Sequence, residues 1–160
     1  MKKFLSMVML CSMLLGLAGC VDKEAQAEVK NYIDTAAMTF GAQEKLMLES
    51  YTSVIGANYT DDSTMCMEFV TNTIPLATNL QTTVEGLTET IANEDVLRVH
   101  NIYLSYVSEF VGALRMLLTA VDEQDKTLAA EANAMLNNSN TYATEFREGL
   151  QELKGKYDLE

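Results

Sequence analysis

Apolar residues recur at intervals of three and four along most of the chain after residue 22. This spacing places them on one face of an α-helix, and no long stretch shows the strict alternation that indicates β-strands. The periodic positions, grouped by predicted helix, are Val29, Ile33, Ala36, Phe40, Met47 and Val54; Val70, Thr73, Ala77, Leu80, Val84, Leu87 and Ile91; His100, Tyr103, Val107, Phe110, Leu114, Leu117 and Val121; and Leu128, Ala132, Met135, Ser139, Tyr142, Phe146 and Leu153. We therefore predict an all-α fold.

The polar stretches between these segments contain residues that cap helices. Asn, Asp and Thr side chains accept hydrogen bonds from the free N–H groups of a first helical turn, and they occur at 58–62, at Asn93 and at 122–125. The predicted helices are 23–57, 62–92, 94–121 and 126–156. Each is about 45 Å long at 1.5 Å per residue. Short connections make neighbouring helices antiparallel, so we predict an up-down four-helix bundle.

Two local sequences act against continuous helices. Pro75 lies within the second predicted helix, where proline removes a backbone hydrogen bond and clashes with the preceding turn. It falls on the outward side of the periodic stripe, so we expect a bend that does not empty the core. The run Asn137–Asn140 contains weak helix formers that could divide the fourth helix.

The first twenty residues have the three parts of an export signal. Lys2 and Lys3 precede a mostly apolar run of 14 residues at 4–17, and small residues follow before Cys20. The run is shorter than the roughly 20 residues that span a bilayer. The end of this segment, Leu17-Ala18-Gly19-Cys20, resembles the lipobox of bacterial prolipoproteins.

This resemblance implies that diacylglycerol is attached to the thiol of Cys20 and that residues 1–19 are removed. The mature chain, 20–160, would then be a single helical domain anchored by lipid outside the cytoplasm. In Gram-negative bacteria an Asp directly after the cysteine is similar to an inner-membrane retention signal. Val21 occupies that place, which favours the outer membrane if the source is Gram-negative. The alternative is an ordinary secretory signal with a cysteine near its cleavage site.

The mature chain is strongly acidic. Loss of Lys2 and Lys3 with the signal changes the formal charge from −12 to −14, which argues against nucleic acid as a partner. No basic residue lies between Lys45 and Arg98, whereas acids are frequent there. We predict an acidic face that binds a basic envelope or extracellular protein; its candidate residues are Glu68, Glu85 and Glu89. The alternative is that the acids serve only solubility.

The chain offers few residues for catalysis or metal binding. His100 is the single histidine, so the Glu-x-x-His pairs of di-iron bundles are absent, and no calcium-loop motif occurs. Removal of Cys11 and lipidation of Cys20 leave Cys66 without an internal disulfide partner. A Cys66–His100 pair is conceivable, but Cys66 falls on an apolar stripe and is predicted to be buried and inert. We expect neither a cofactor nor an enzymatic activity.

Aromatic residues supply an alternative function. Phe40, Tyr103, Phe110 and Tyr142 fall on the predicted core stripes. They could line a cavity of about 300 Å³ or more and make the protein a carrier or sensor of a small apolar ligand. Packed against each other, they would simply form the core. The leading prediction is a membrane-tethered, non-enzymatic helical module that binds another envelope or extracellular component.

Overall fold

The computed structural model describes residues 22–159, which form four long helices with antiparallel neighbours. The export signal and Cys20 lie outside the described residues. The helices are α1 at 23–52, α2 at 62–88, α3 at Glu94–Glu123 and α4 at Lys126–Lys156, with a 3₁₀ turn at Gly56–Asn58. The predicted all-α, up-down four-helix bundle is confirmed. The first two helices are each shorter at their C-terminal end than predicted.

Each long helix begins at a polar residue whose side chain accepts a hydrogen bond from a backbone N–H of the first turn. Asp22 caps α1 through the N–H of Glu24, at 3.0 Å. Asp61, Asn93 and Asp125 do the same for α2, α3 and α4. These caps satisfy N–H groups that have no partner within the helix, and they explain why the helix starts could be predicted from sequence.

Two π-helical turns interrupt the α-helical pattern. In α1 the turn Ala36–Phe40 separates Lys23–Thr35 from Gly41–Thr52. In α2 the turn Phe69–Thr73 separates Asp62–Glu68 from Ile74–Thr88. A π turn holds about one residue more than an α turn and therefore changes which side chains face the core on either side of it.

The π turn in α2 corrects the predicted core. Phe69 is fully buried, whereas Val70, which continues the three-and-four spacing from Thr73, is 56% exposed. The same turn directly precedes Pro75, which is exposed at the second position of Ile74–Thr88. A wider turn gives the proline ring room beside the carbonyl group four residues back, and the helix continues through the proline.

The asparagine-rich run does not divide α4, which is one helix across Asn137–Asn140. Ser139 is buried, and its hydroxyl donates a hydrogen bond to the backbone carbonyl of Tyr106 at 3.1 Å. This contact with α3 holds a segment that is weakly helical by itself, because tertiary packing commonly overrides intrinsic propensity.

The long helix α3 occupies the centre of the bundle. Among the described residues it is the one helix whose length and composition would allow it to cross a membrane. Many of its apolar side chains are buried against the other helices: Phe40 and Tyr51 of α1 and Phe146 of α4 all contact its aromatic residues. Burial on several sides accounts for the apolar character of α3.

Candidate functional site

The structure separates the three acids of the predicted binding face. Glu85 and Glu89 are exposed near the C-terminal end of α2, and Glu85 accepts a hydrogen bond from Gln81 at 2.9 Å. Glu68 instead accepts a hydrogen bond from Ser50 of α1 at 2.6 Å and another from Asn72, four residues later in α2, at 2.7 Å. Glu68 is therefore held at the contact with α1, whereas Glu85 and Glu89 are exposed. We call Glu85 and Glu89 the acidic patch.

Several neighbouring acids are occupied within the molecule. Glu49 lies 3.7 Å from the ammonium of Lys45 in an exposed ion pair. Asp95 accepts hydrogen bonds from Lys156 at 2.6 Å and from the Tyr157 hydroxyl at 2.7 Å. Both bonds lower the pKa of Asp95, and the bond from Lys156 has the larger effect. Asp61 caps α2. Each of these three carboxylates has a partner within the molecule, so they are less available to another protein than the acidic patch is.

Cys66 and His100 lie at opposite ends of the bundle. Burial raises the pKa of the Cys66 thiol, and the negative charges of Asp62 and of Asp122, which is near the end of α3, raise it further. His100 is in the second turn of α3, so about 33 Å of helix separates the two levels. The pair cannot act as nucleophile and base. Cys66 is also half-buried, not fully buried as predicted.

His100 is a residue of the core. It is fully buried between α1 and α2, with Nε2 3.0 Å from the hydroxyl of Thr88 and Nδ1 3.4 Å from the hydroxyl of Tyr32. The ring also lies against Phe40. Burial lowers its pKa, because the charged imidazolium would lose its hydration.

The predicted aromatic residues pack directly against one another. The rings of Phe40 and Tyr103 are stacked with centroids 5.2 Å apart, and Tyr103 lies 4.4 Å from Phe146. Phe110 meets Tyr51 edge-on at 5.1 Å. Tyr142 is half-buried and borders an open surface groove together with Ser105 and Glu109. The four aromatics named from sequence therefore do not line a common chamber.

Glu44 forms a polar junction that periodicity did not reveal. Its carboxylate accepts hydrogen bonds from the hydroxyls of Tyr103 at 3.1 Å and Tyr106 at 3.0 Å. Both tyrosines are buried, and burial together with the negative charge of Glu44 raises their pKa. The neutral hydroxyls thus serve as hydrogen-bond donors that tie α1 to α3. A tyrosine pair at positions i and i+3 facing a glutamate on another helix is the only sequence signal for this contact.

A second polar group ties three distant segments together at one end of the bundle. Gln26 donates to the backbone carbonyl of Tyr157 at 2.8 Å, and Glu28 accepts from the backbone N–H groups of Ala92 and Asn93 at 2.9 and 2.8 Å. Asn93 donates to the Tyr157 hydroxyl at 2.9 Å. We call these side chains, with Asp95, the polar clasp. It joins the start of α1, the α2–α3 turn and the end of α4.

Within residues 22–159 no group of three or more His, Cys, Asp and Glu side chains is arranged to hold a metal ion. No protein-family model, curated protein or solved structure matches the chain.

Proposed function

We propose that this chain is a bacterial lipoprotein, anchored through Cys20 outside the cytoplasm, whose helical bundle binds another protein on its outer surface. The single observation that carries the choice of surface binding is the aromatic interior. Phe40, Tyr103 and Phe146 fill the space between the helices with rings in direct contact. A ligand of the size that a carrier encloses needs about 300 Å³ of interior space, and these rings occupy it.

The lipid anchor is supported by the sequence at the start of the chain. Leu17-Ala18-Gly19-Cys20 resembles a lipobox, and the cationic and apolar segments before it have the order of an export signal. Two or more acyl chains on one protein give lasting membrane attachment. The bundle would then act at the surface of a membrane and not in free solution.

The acidic patch is the part of the outer surface that we assign to the partner. Glu85 and Glu89 are one helical turn apart and exposed, and the ion pairs of the described residues do not include them. Uncompensated charges of one sign attract a surface of the opposite sign and exclude like-charged partners. We therefore infer a basic protein segment as the partner.

The anchor is tested by mass spectrometry of the native protein purified from membranes. We expect a diacylglycerol-modified N-terminal Cys20 and loss of residues 1–19. A Cys20→Ser variant should lack the modification and leave the membrane fraction. Recovery of an unmodified Cys20 in the membrane-bound native protein would overturn the proposal.

The partner surface is tested by crosslinking in cells, with the lipidated protein as bait. Reversal of the patch, Glu85→Lys with Glu89→Lys, should weaken capture of the specific partner about tenfold or more, because opposite charges then become like charges. The matched control is Glu131→Lys with Glu145→Lys, which reverses two exposed acids on α4. Equal capture by both variants would exclude the patch as the docking surface.

A further inference from the structure

The proposed anchor is separated from the folded bundle by almost no chain. Cys20 would be the first residue of the mature protein, Val21 follows it, and Asp22 is already the N-cap of α1. Two Cα–Cα steps reach about 7 Å at most. The polar headgroup layer on each side of a bilayer is roughly 5–8 Å thick. The connection therefore reaches little farther than the headgroups.

The first turns of α1 cannot readily unwind to lengthen this connection. Gln26 and Glu28 belong to the polar clasp and bind the end of α4 and the α2–α3 turn. Val29, one residue later, is fully buried. Unwinding would break these hydrogen bonds and expose an apolar side chain, both of which are unfavourable.

We propose that the end of the bundle that contains the polar clasp lies directly against the lipid headgroups of the membrane, with the opposite end directed away from it. The α2–α3 turn and the end of α4 would then contact the headgroup layer together with α1. The turn Gly56–Asn58 lies at the other end of α2, about 40 Å away along that helix. This inference rests on the proposed lipid anchor.

The charge of the end that contains the polar clasp determines whether lipid headgroups attract it. Acidic side chains outnumber lysines there, and the acids include Glu24, Glu94 and Asp158. Such a surface is repelled by anionic lipids, so the acyl chains and not electrostatic attraction hold the bundle in place. The acidic patch, close to the same end, would face the aqueous layer just above the headgroups. A basic partner that docks there must itself lie at the membrane surface.

The orientation can be measured with a fluorophore on a single cysteine in the full, lipidated protein. In a Cys66→Ser background, Ala92→Cys places the label in the α2–α3 turn and Ala57→Cys places it in the 3₁₀ turn; both alanines are exposed. The proteins are reconstituted into phosphatidylcholine vesicles that contain a lipid with a nitroxide on its headgroup. Because the two labels are about 40 Å apart along the bundle, we expect quenching at position 92 to exceed that at position 57 about threefold or more.

A linker variant provides the matched control. A flexible Gly/Ser insert of about 20 residues between Val21 and Asp22 has a root-mean-square reach of about 25 Å. It should make the quenching at the two positions similar while leaving the lipid on Cys20. Both proteins are checked by mass spectrometry, which separates the possible failures. Without lipid on Cys20, the anchor and the orientation both fail. With lipid present, equal quenching at positions 92 and 57 in the protein without the linker overturns the orientation alone.

Discussion

At the scale of single residues, two glycines set how closely α3 and α4 approach each other. A Cβ atom at Gly149 would lie 2.9 Å from Cγ2 of Val99, and one at Gly112 would lie 2.7 Å from Cε of Met135. The methionine end is flexible and can move, whereas valine is stiff at χ1. Gly149 is therefore the position at which added volume is least easily accommodated.

We predict that Gly149→Ala destabilises the protein by about 1–3 kcal/mol, because the new methyl group overpacks the contact with Val99. Gly155→Ala is the control in the same helix: nothing lies within 4 Å of its added Cβ. That substitution should be neutral or stabilising by up to about 1 kcal/mol, since alanine favours helix. Urea denaturation measures both. Equal effects at the two positions would contradict the packing argument.

Buried His100 predicts a pH dependence of stability. Burial lowers its pKa in the folded state, while the unfolded chain keeps a value near 6.5. Above that value both states are neutral and stability is full. As the pH falls below about 6.5, the unfolded state binds a proton first, so the free energy of unfolding decreases until the folded pKa is passed.

The groups that face the imidazole are the hydroxyls of Tyr32 and Thr88, the backbone of Val84 and the ring of Phe40. None of them ionises in this range. Urea unfolding at a series of pH values between about 7.5 and 5.5 should show the loss, with a slope below about 1.4 kcal/mol per pH unit. His100→Asn should lower stability at neutral pH but reduce that slope. An unchanged slope in the variant would assign the pH dependence to other groups.

At the scale of elements, Glu44 links α1 to α3 through two tyrosine hydroxyls. We predict that Glu44→Leu costs about 2–4 kcal/mol, because the hydroxyls of Tyr103 and Tyr106 would remain buried without an acceptor. Glu44→Gln should cost less, since the amide oxygen still accepts one bond. The control is Glu49→Gln, in which an exposed pair with Lys45 is lost at about 0.5 kcal/mol or less. If chemical denaturation showed that Glu49→Gln and Glu44→Leu lower the free energy of unfolding equally, the proposed role of Glu44 would be refuted.

The elements also show where periodicity succeeds and where it fails. Helix starts follow from capping residues such as Asn93 and Asp125, which act within a single turn. Phe69 and not Val70 lies in the core because of a π turn, and that turn contacts α1, where the hydroxyl of Ser50 is 2.7 Å from that of Thr73. The spacing of apolar residues cannot reveal that a turn holds one extra residue when the two adjacent candidates for the core, here Phe69 and Val70, are both apolar.

At the scale of the whole molecule, the polar clasp closes one end of the bundle. The hydroxyl of Tyr157 accepts a hydrogen bond from Asn93 and donates one to Asp95. Its backbone carbonyl accepts a hydrogen bond from Gln26. This places the last turn of α4 in contact with residues more than sixty positions away in sequence. The end of the bundle is therefore held by hydrogen bonds that form only after the helices have assembled.

We predict that Tyr157→Phe lowers stability by about 1–2 kcal/mol, because two hydrogen bonds are lost while the ring is kept. Amide hydrogen exchange should also become faster in the α2–α3 turn and at the end of α4, since the lost bonds join these two segments and local opening would need less energy. Tyr59→Phe, which removes an exposed hydroxyl from Asp62 at the other end, is the control and should change exchange there only. Uniform acceleration across the bundle would argue against a local clasp.

For the candidate binding face, too, some features follow from the sequence and others depend on how the helices pack. Sequence alone located the stretch without basic residues between Lys45 and Arg98, and two of its three named acids, Glu85 and Glu89, are exposed. Glu68 differs from them, because its hydrogen bond to Ser50 of α1 depends on how the two helices pack, while its bond to Asn72 lies within α2. The charge of a segment can be counted from its sequence, but the direction in which a carboxylate points depends on how the helices pack.

Sequence by itself determined that this chain is helical, where its four helices begin and that neighbouring helices run antiparallel. These features arise from hydrogen bonds and side-chain spacing within one or two turns, together with connections too short for any other path. Only the tertiary structure decided that Phe69 is inside, that Glu44 holds two tyrosines and that Tyr157 closes the bundle. Those contacts join residues far apart in the chain, and their energies exist only when the helices have packed together.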